Sequence, residues 1–365
     1  MSSRLRIPVY TITLLAAIGA QVVGIPSNAQ ADAVRDSEWH LEFLDVTAAH
    51  RVTQGDGVVV GLPDTGVDDR HPDLAGVVSD GTYIGGFGDP RRDSIGHGTA
   101  MAGLIAGRGH GTDHRDGILG IAPHASILSV QTLFGDLGAP RDLGAGIIWA
   151  VEHGATVICI AAGTSEDAKV LKGVREAINK DVVVVAGAGN RPDTTTVAFP
   201  ARLPGVLSVG GVDRSGNHAD ISVTGPELMI SAPAVDIPST DSYSGYRTGT
   251  GTSDAAAIVA GAVALVRAKY PNLSAPEVIH RLTATATDKG PPGRDAEYGF
   301  GVLNIVKALT ADVPPATSSP PVPTLTQAAP ARETNDVPVA ALLAVAGAVL
   351  LTIVWIAIYR RRRAS

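Results

Sequence analysis

Apolar residues in this chain gather into short unbroken runs and longer periodic ones. The runs at 57–62, 126–130, 156–160, 182–185, 206–209 and 228–230 are dominated by Val, Ile and Leu with little polar alternation, which predicts strands buried on both faces. Between them, 99–106, 143–153, 169–179 and 275–285 predict helices, the second closed by Gly154. The stretch 255–266 is apolar almost all round, so it predicts a helix buried in the middle of a domain. Strands alternating with helices predict an α/β domain with a mainly parallel central sheet covered by helices on both faces. In such sheets chemistry gathers at the carboxyl ends of the strands.

The two ends follow other rules. Arg4 and Arg6 precede an apolar run at 7–23, and Ala29-Gln30-Ala31 offers a small-x-small cleavage site, so 1–31 reads as a secretory signal. Gln21 and Pro26 interrupt the run and disfavour a retained helix. At the other end, 339–359 is almost wholly apolar and long enough for a bilayer of about 30 Å. Arg360 to Arg363 follow, which predicts a C-terminal transmembrane helix with a cytoplasmic basic tail at 360–365. The expected location is the cell membrane, single-pass, with the domain extracellular. Residues 313–338, rich in Pro, Thr, Ser and Ala, read as an extended linker. An N-terminal extension at 32–56, with Trp39, Leu41, Phe43 and Leu44 available for packing, is too short to fold alone. That leaves 57–312 as one domain.

Charge and composition narrow the function. A net charge of -7 argues against nucleic acid. Cys159 lies in an apolar run and reads as inert core, so no disulfide is expected. His40, His50, His124 and His153 lack ligand-like spacing and read as surface residues, and no Asp/Asn-rich loop suggests calcium. No metal and no cofactor is expected.

Three separated motifs carry chemistry. Asp64 lies just past the end of the first strand, Gly96-His97-Gly98-Thr99 opens a helix, and Gly251-Thr252-Ser253 opens the long buried helix. Alone, Gly-Thr-Ser reads as an N-cap. In company with Asp64 and His97, Ser253 fits a nucleophile whose proton goes to a histidine oriented by a carboxylate. The helix start adds free N–H groups that favour developing negative charge. A lipase-type nucleophile elbow needs Gly where Ala255 stands, and the chain order differs.

These motifs resemble those of the subtilisin-type serine proteases, the subtilases, over roughly 57–308. The resemblance is carried by Val60-Gly61-Leu62-Pro63-Asp64-Thr65-Gly66-Val67, His71-Pro72-Asp73-Leu74 and Asp93-Ser94-Ile95-Gly96-His97-Gly98-Thr99-Ala100-Met101-Ala102-Gly103. Gly120-Ile121-Ala122-Pro123, Ala188-Gly189-Asn190, Gly251-Thr252-Ser253 and Tyr298-Gly299-Phe300-Gly301 complete it. The ends resemble those of mycosins, membrane-anchored subtilases associated with type VII secretion. The resemblance implies a subtilisin-like three-layer fold and an Asp64–His97–Ser253 triad. It also implies an oxyanion-binding Asn190 and a substrate-binding edge at Ala161-Ala162-Gly163. Gly109-His110-Gly111-Thr112 repeats the histidine motif, but it leads into a charged loop, whereas a base needs the rigid mount that His97 has.

Pro63, Asp254 and Ala257 depart from the family pattern, Asp254 placing a carboxylate beside the oxyanion. The function implied is a serine endopeptidase cleaving exported proteins through an acyl-enzyme, linked to type VII secretion. The alternative is a catalytically weak or inactive scaffold of a membrane secretion complex. Partners implied are a protein or peptide substrate, the membrane and type VII secretion components.

Overall fold

The computed structural model describes residues 33–85, 88–134, 139–140 and 142–315. The apolar strands do form: β1 (Val59–Asp64), β2 (Val78–Tyr83), β5 (Ser126–Gln131), β6 (Val157–Ile160), β7 (Val183–Gly187), β8 (Val206–Val212) and β9 (Ile230–Pro233). They make one sheet in the order β9-β8-β7-β6-β1-β5-β2, every pair parallel. Alternate residues feed separate cores. Val157, Cys159, Val183 and Val185 face one cluster, while Ile158, Ile160, Val184 and Ala186 face the other. This two-sided burial is why the strands read as continuous apolar runs.

One face is covered by α3 (His97–Ala106), α6 (Thr252–Lys269), α7 (Ala275–Ala284) and α8 (Ile305–Thr310). The other is covered by α4 (Leu143–Glu152) and α5 (Ala168–Asn179). All residues of α6 from Asp254 to Arg267 are buried, as its unbroken apolar character predicts. Helices α3 and α6 approach closely where Gly261 replaces a side chain, since a Cβ there would stand 2.6 Å from Ile121 and 3.3 Å from the Ile105 carbonyl.

Some elements were not legible in the pattern. Strand β2 is an edge strand with a polar, only partly buried sequence. A two-stranded hairpin, β10 (Ile237–Asp241) and β11 (Gly245–Gly249), precedes α6. A small antiparallel pair, β3 (Arg108–His110) and β4 (Asp116–Leu119), follows α3. The N-terminal extension forms α1 (Trp39–Phe43) and α2 (Val46–His50). Its anchors are specific: Trp39 Nε1 donates to the Val235 and Asp236 carbonyls at 3.2 and 3.1 Å, and Arg35 Nε to the Gly117 carbonyl at 2.8 Å.

The expectation that His40 is a surface residue is corrected. Its ring is fully buried and burial pushes its pKa down to about 3, so it is a neutral core side chain. Cys159 is a free buried thiol, its pKa pushed up by burial. Among the described residues no helix is long and apolar enough to cross a membrane. The 1–31 segment, the 339–359 run and the 360–365 tail lie outside the described residues, as does nearly all of the 313–338 linker.

Candidate active site

Strand β1 ends on Asp64, whose side chain is fully buried. Its Oδ1 accepts the Thr65 N–H at 2.8 Å and meets His97 Nδ1 at 2.7 Å. That contact assigns the proton to Nδ1 and leaves Nε2 free as an acceptor. His97 is the first residue of α3, and the turn before it is tightly held. Asp93 Oδ1 accepts the N–H groups of Ile95 and Gly96 at 3.0 and 2.9 Å. Its Oδ2 accepts the Thr99 N–H and hydroxyl at 3.0 and 2.8 Å. Thr65 Oγ1 accepts the Gly98 N–H at 2.8 Å, tying the helix start to the strand end. Gly96 has φ +87°, and a Cβ there would collide with the Asp241 carboxylate, so glycine is required on both counts.

Burial by itself pulls the His97 pKa down, but the Asp64 charge and hydrogen bond, with Asp254, outweigh it and raise the pKa to about 9. Arg247 on β11 opposes them.

Ser253 is the second residue of α6, where its N–H has no intrahelical acceptor. The neighbouring groups are already used: Gly251 N donates to the Ala234 carbonyl and Thr252 N to Asn190 Oδ1, both at 2.9 Å. Thr252 Oγ1 also donates to Asn190 Oδ1 at 3.1 Å and accepts the Gly189 N–H at 3.0 Å. With Oδ1 doubly bound, Asn190 must present its Nδ2 on the other side. A Cβ built on Gly251 would lie 3.0 Å from Ser253 Oγ and 3.2 Å from Asn190 Nδ2, so hydroxyl and amide border one small space. Chemically, the arrangement offers an oriented imidazole, a hydroxyl at a helix N-terminus and a side-chain amide donor.

The departures have local accounts. The carbonyls of Val58 and Asp64 accept from Ser126 on β5 and Thr132 just past it, and that of Val59 accepts from the segment opening β6. By strand alternation Pro63 faces the β6 side, whose pairing with β1 ends at Gly61. Its missing N–H therefore breaks no ladder bond. Ala257 sits in the second turn of α6, where its N–H can reach the Ser253 carbonyl, a bond that proline would remove. Asp254 is 4 % exposed and packs back against Gly249, and burial raises its pKa to about 6 against the pull of His97 and Arg247.

Ala161-Ala162-Gly163 follows β6 directly, with Ala161 buried and Ala162 half-buried. His110 stands apart. Its Nδ1 meets Asp73 Oδ1 at 2.5 Å, while Asp73 Oδ2 accepts the Ile118 N–H at 2.7 Å. This second acid–histidine pair ties the β3–β4 ribbon down. Among the described residues no group of His, Cys, Asp and Glu is arranged to hold a metal.

Comparison with known proteins bears on this geometry. The pattern of the subtilase family matches residues 55–301, which is most of the chain. The chain is a subtilase. Subtilisin DY of Bacillus licheniformis is 37% identical over 260 residues, covering 70% of this chain and 92% of its own. A thermostable alkaline protease of Halalkalibacterium halodurans is 33% identical over 290 residues, covering 79% of this chain and 77% of its own. This subtilase also resembles the crystal structure of MycP1 with its N-terminal propeptide removed. The TM-score is 0.67 at 29% identity, over 76% of this chain and 98% of that one. MycP3 protease from the type VII (ESX-3) secretion system gives 0.65 at 32% identity, over 75% and 88%. Its structural neighbours are thus mycosins, its fold is subtilisin-like, and it is a serine endopeptidase. What sequence reasoning missed was the support: Asp93 as the cap of α3, Thr65 as its tie, and Thr252 as the group that turns Asn190.

Proposed function

We propose that this subtilase cleaves exported proteins through an acyl-enzyme formed on Ser253. The observation that carries the reading is the 2.7 Å Asp64–His97 contact, together with Ser253 Oγ and Asn190 Nδ2 bordering one space. In the first step His97 Nε2 takes the Ser253 proton as Oγ attacks the scissile carbonyl carbon. Asp64 holds the imidazole and stabilises its positive charge. The carbonyl electrons move to an oxyanion, which accepts hydrogen bonds from Asn190 Nδ2 and the Ser253 N–H. As the C–N bond breaks, His97 passes its proton to the leaving amine. Water, deprotonated by His97, then attacks the ester, and Ser253 recovers its proton as the acid product leaves. The Ala161–Gly163 edge pairs with the peptide through backbone groups, so loss of larger side chains there is tolerated.

The link to type VII secretion rests on the mycosin neighbours, and the membrane location on the 339–359 run with its four arginines. The scaffold alternative draws support from Asp254, a carboxylate beside the developing oxyanion. Peptide hydrolysis by the full chain in detergent separates the two. Turnover absent from Ser253→Ala, and reduced about 10²- to 10³-fold by Asn190→Ala, supports the protease. Rates equal to the Ser253→Ala blank would leave the scaffold reading. Protease added to intact cells should release the domain, and full protection would refute the outside location.

A further inference from the structure

Sharing no residue with the active site, the β3–β4 ribbon and the chain beside it surround a cavity of about 570 Å³. That is the size of a small-molecule site, ~300–1,000 Å³. Three of the chain's ten histidines line it, His110, His114 and His124, together with Arg108 and Asp56. The rings are held alike. His110 Nδ1 meets Asp73 Oδ1 at 2.5 Å, His124 Nδ1 meets Asp56 Oδ1 at 2.9 Å, and His114 Nδ1 meets the Gly109 carbonyl at 3.4 Å. Such acceptors fix the proton on Nδ1 and leave each Nε2 without a partner among the described residues. Arg108 is anchored through Nε, which donates to the Pro123 carbonyl at 3.0 Å, so its two terminal nitrogens make no hydrogen bond among the described residues. Gly76 makes room for them, since a Cβ there would stand 3.2 Å from Nη1. His114 is displayed on costly backbone. It and Asp113 have φ of 56° and 55°, and Arg35 holds the turn by donating to the His114 and Asp116 carbonyls, both at 3.4 Å.

Four cationic or protonatable side chains therefore line one space with their outer nitrogens unspent, on a loop whose strain is kept by surrounding contacts. The charges around them have other partners. Asp73 Oδ2 accepts the Ile118 N–H at 2.7 Å, Arg35 Nε meets Glu38 Oε2 at 3.0 Å, and His50 Nε2 meets the Ile121 carbonyl at 2.9 Å. Asp113 and Arg115 are exposed, and the Asp116 carboxylate lies against Gly111. We infer that this cavity binds a phosphate-bearing ligand, with the Arg108 guanidinium and the three Nε2 atoms as its donors. A guanidinium matches phosphate oxygens bidentately, and each imidazole becomes an Nε2–H donor on taking a second proton. Binding therefore takes up protons and tightens as pH falls. A metal ion is the poorer occupant. Among the described residues no group of His, Cys, Asp and Glu is arranged to hold one, and Arg108 would repel it. A soluble phosphate ester and a lipid headgroup share this chemistry, and competition separates them. The site stands independently of the protease reading.

The test is isothermal titration of the full chain in neutral detergent, carried on Ser253→Ala so that self-cleavage is excluded. Inorganic phosphate should bind at one per chain at pH 6. Sulfate keeps its charge between pH 6 and pH 8, and it should bind about tenfold tighter at the lower pH. Arg108→Gln should lose about tenfold in affinity at pH 6. His114→Gln with His124→Gln, at exposed positions where the fold is not at stake, should lose as much and most of the pH dependence with it. His153→Gln, stacked on Trp149 outside the cavity, should bind like the parent chain. Acetate at matched ionic strength should bind at least about tenfold more weakly than phosphate. Displacement of sulfate by glycerol phosphate, but not by phosphatidic acid in the micelles, assigns a soluble ester. Displacement by both assigns a headgroup as well, and displacement by neither overturns the site. No saturable phosphate binding at pH 6, or full affinity in both the Arg108 and the histidine variants, also overturns it. Acetate bound as tightly as phosphate overturns the ligand class.

Discussion

At the residue scale, Asp64 and, to a smaller degree, Asp254 set the pH behaviour. Catalysis needs neutral His97, whose pKa is raised to about 9, so kcat/KM should climb with pH through neutrality toward that value. Asp254 contributes to that elevation. Asp254→Asn should therefore move the acid limb of the profile to lower pH, increasing kcat/KM at pH 7 by about 3- to 10-fold for a shift of half to one unit. A pH–rate profile checks this, and an unmoved limb would show that Asp254 does not act on the imidazole. The linkage signs are the same for the two groups, since both pKa values are raised in the folded state. His97, raised from 6.5, contributes stability that is full below that value and lost as pH rises toward about 9. Asp254 is raised from 3.8 to about 6, so the folded state holds the extra proton and stability falls as pH rises through that window. Asp254→Asn should accordingly raise the Tm at pH 8 more than at pH 4, as a pair of calorimetric scans would reveal.

At the level of elements, the start of α3 depends on Asp93, because the N-cap position is Gly96 and supplies no side chain. Asp93→Ala removes a buried acceptor serving four donors. It should cost about 2–3 kcal/mol in denaturant unfolding and lower kcat/KM through misplacement of His97. The repeated motif gives a contrasting case. His110→Ala should leave kcat/KM within a few-fold yet destabilise by about 1–3 kcal/mol, since Asp73 stays buried without its partner. Equal activity losses from His97→Ala and His110→Ala would mean that the base is misassigned. Much of this was legible: a Gly-His-Gly-Thr leading into Ala and Met gives a packable helix, and the same four residues before Asp113 and Arg115 do not. The hairpin was not legible. Ile237-Pro238-Ser239-Thr240-Asp241 has neither strand alternation nor a run of apolar residues, and its place is set by contacts such as Thr240 Oγ1 on the Thr99 carbonyl.

For the whole molecule, the sheet could be read because burial on both faces leaves an unmistakable apolar signature, whereas in the N-terminal extension only the packing of Trp39, Leu41 and Leu44 was legible, and Phe43 stays exposed. The extension's anchors are long-range contacts of Arg35, Glu38 and Trp39 with chain far away in sequence. Glu38, fully buried with its pKa pushed well up by burial, accepts the Leu119 N–H at 3.1 Å, a pairing that no local pattern announces. Trp39→Ala should lower the Tm through a loss of about 3 kcal/mol, with Ser253 labelling retained below that Tm. The account stands most directly on whether the separated residues Asp64, His97 and Ser253 act as one unit. Mass spectrometry of the full chain after fluorophosphonate treatment measures this. One adduct is predicted, mapped to Ser253, absent from Ser253→Ala and strongly slowed in His97→Ala. No adduct on the wild-type chain, or an adduct on another residue, would contradict the account.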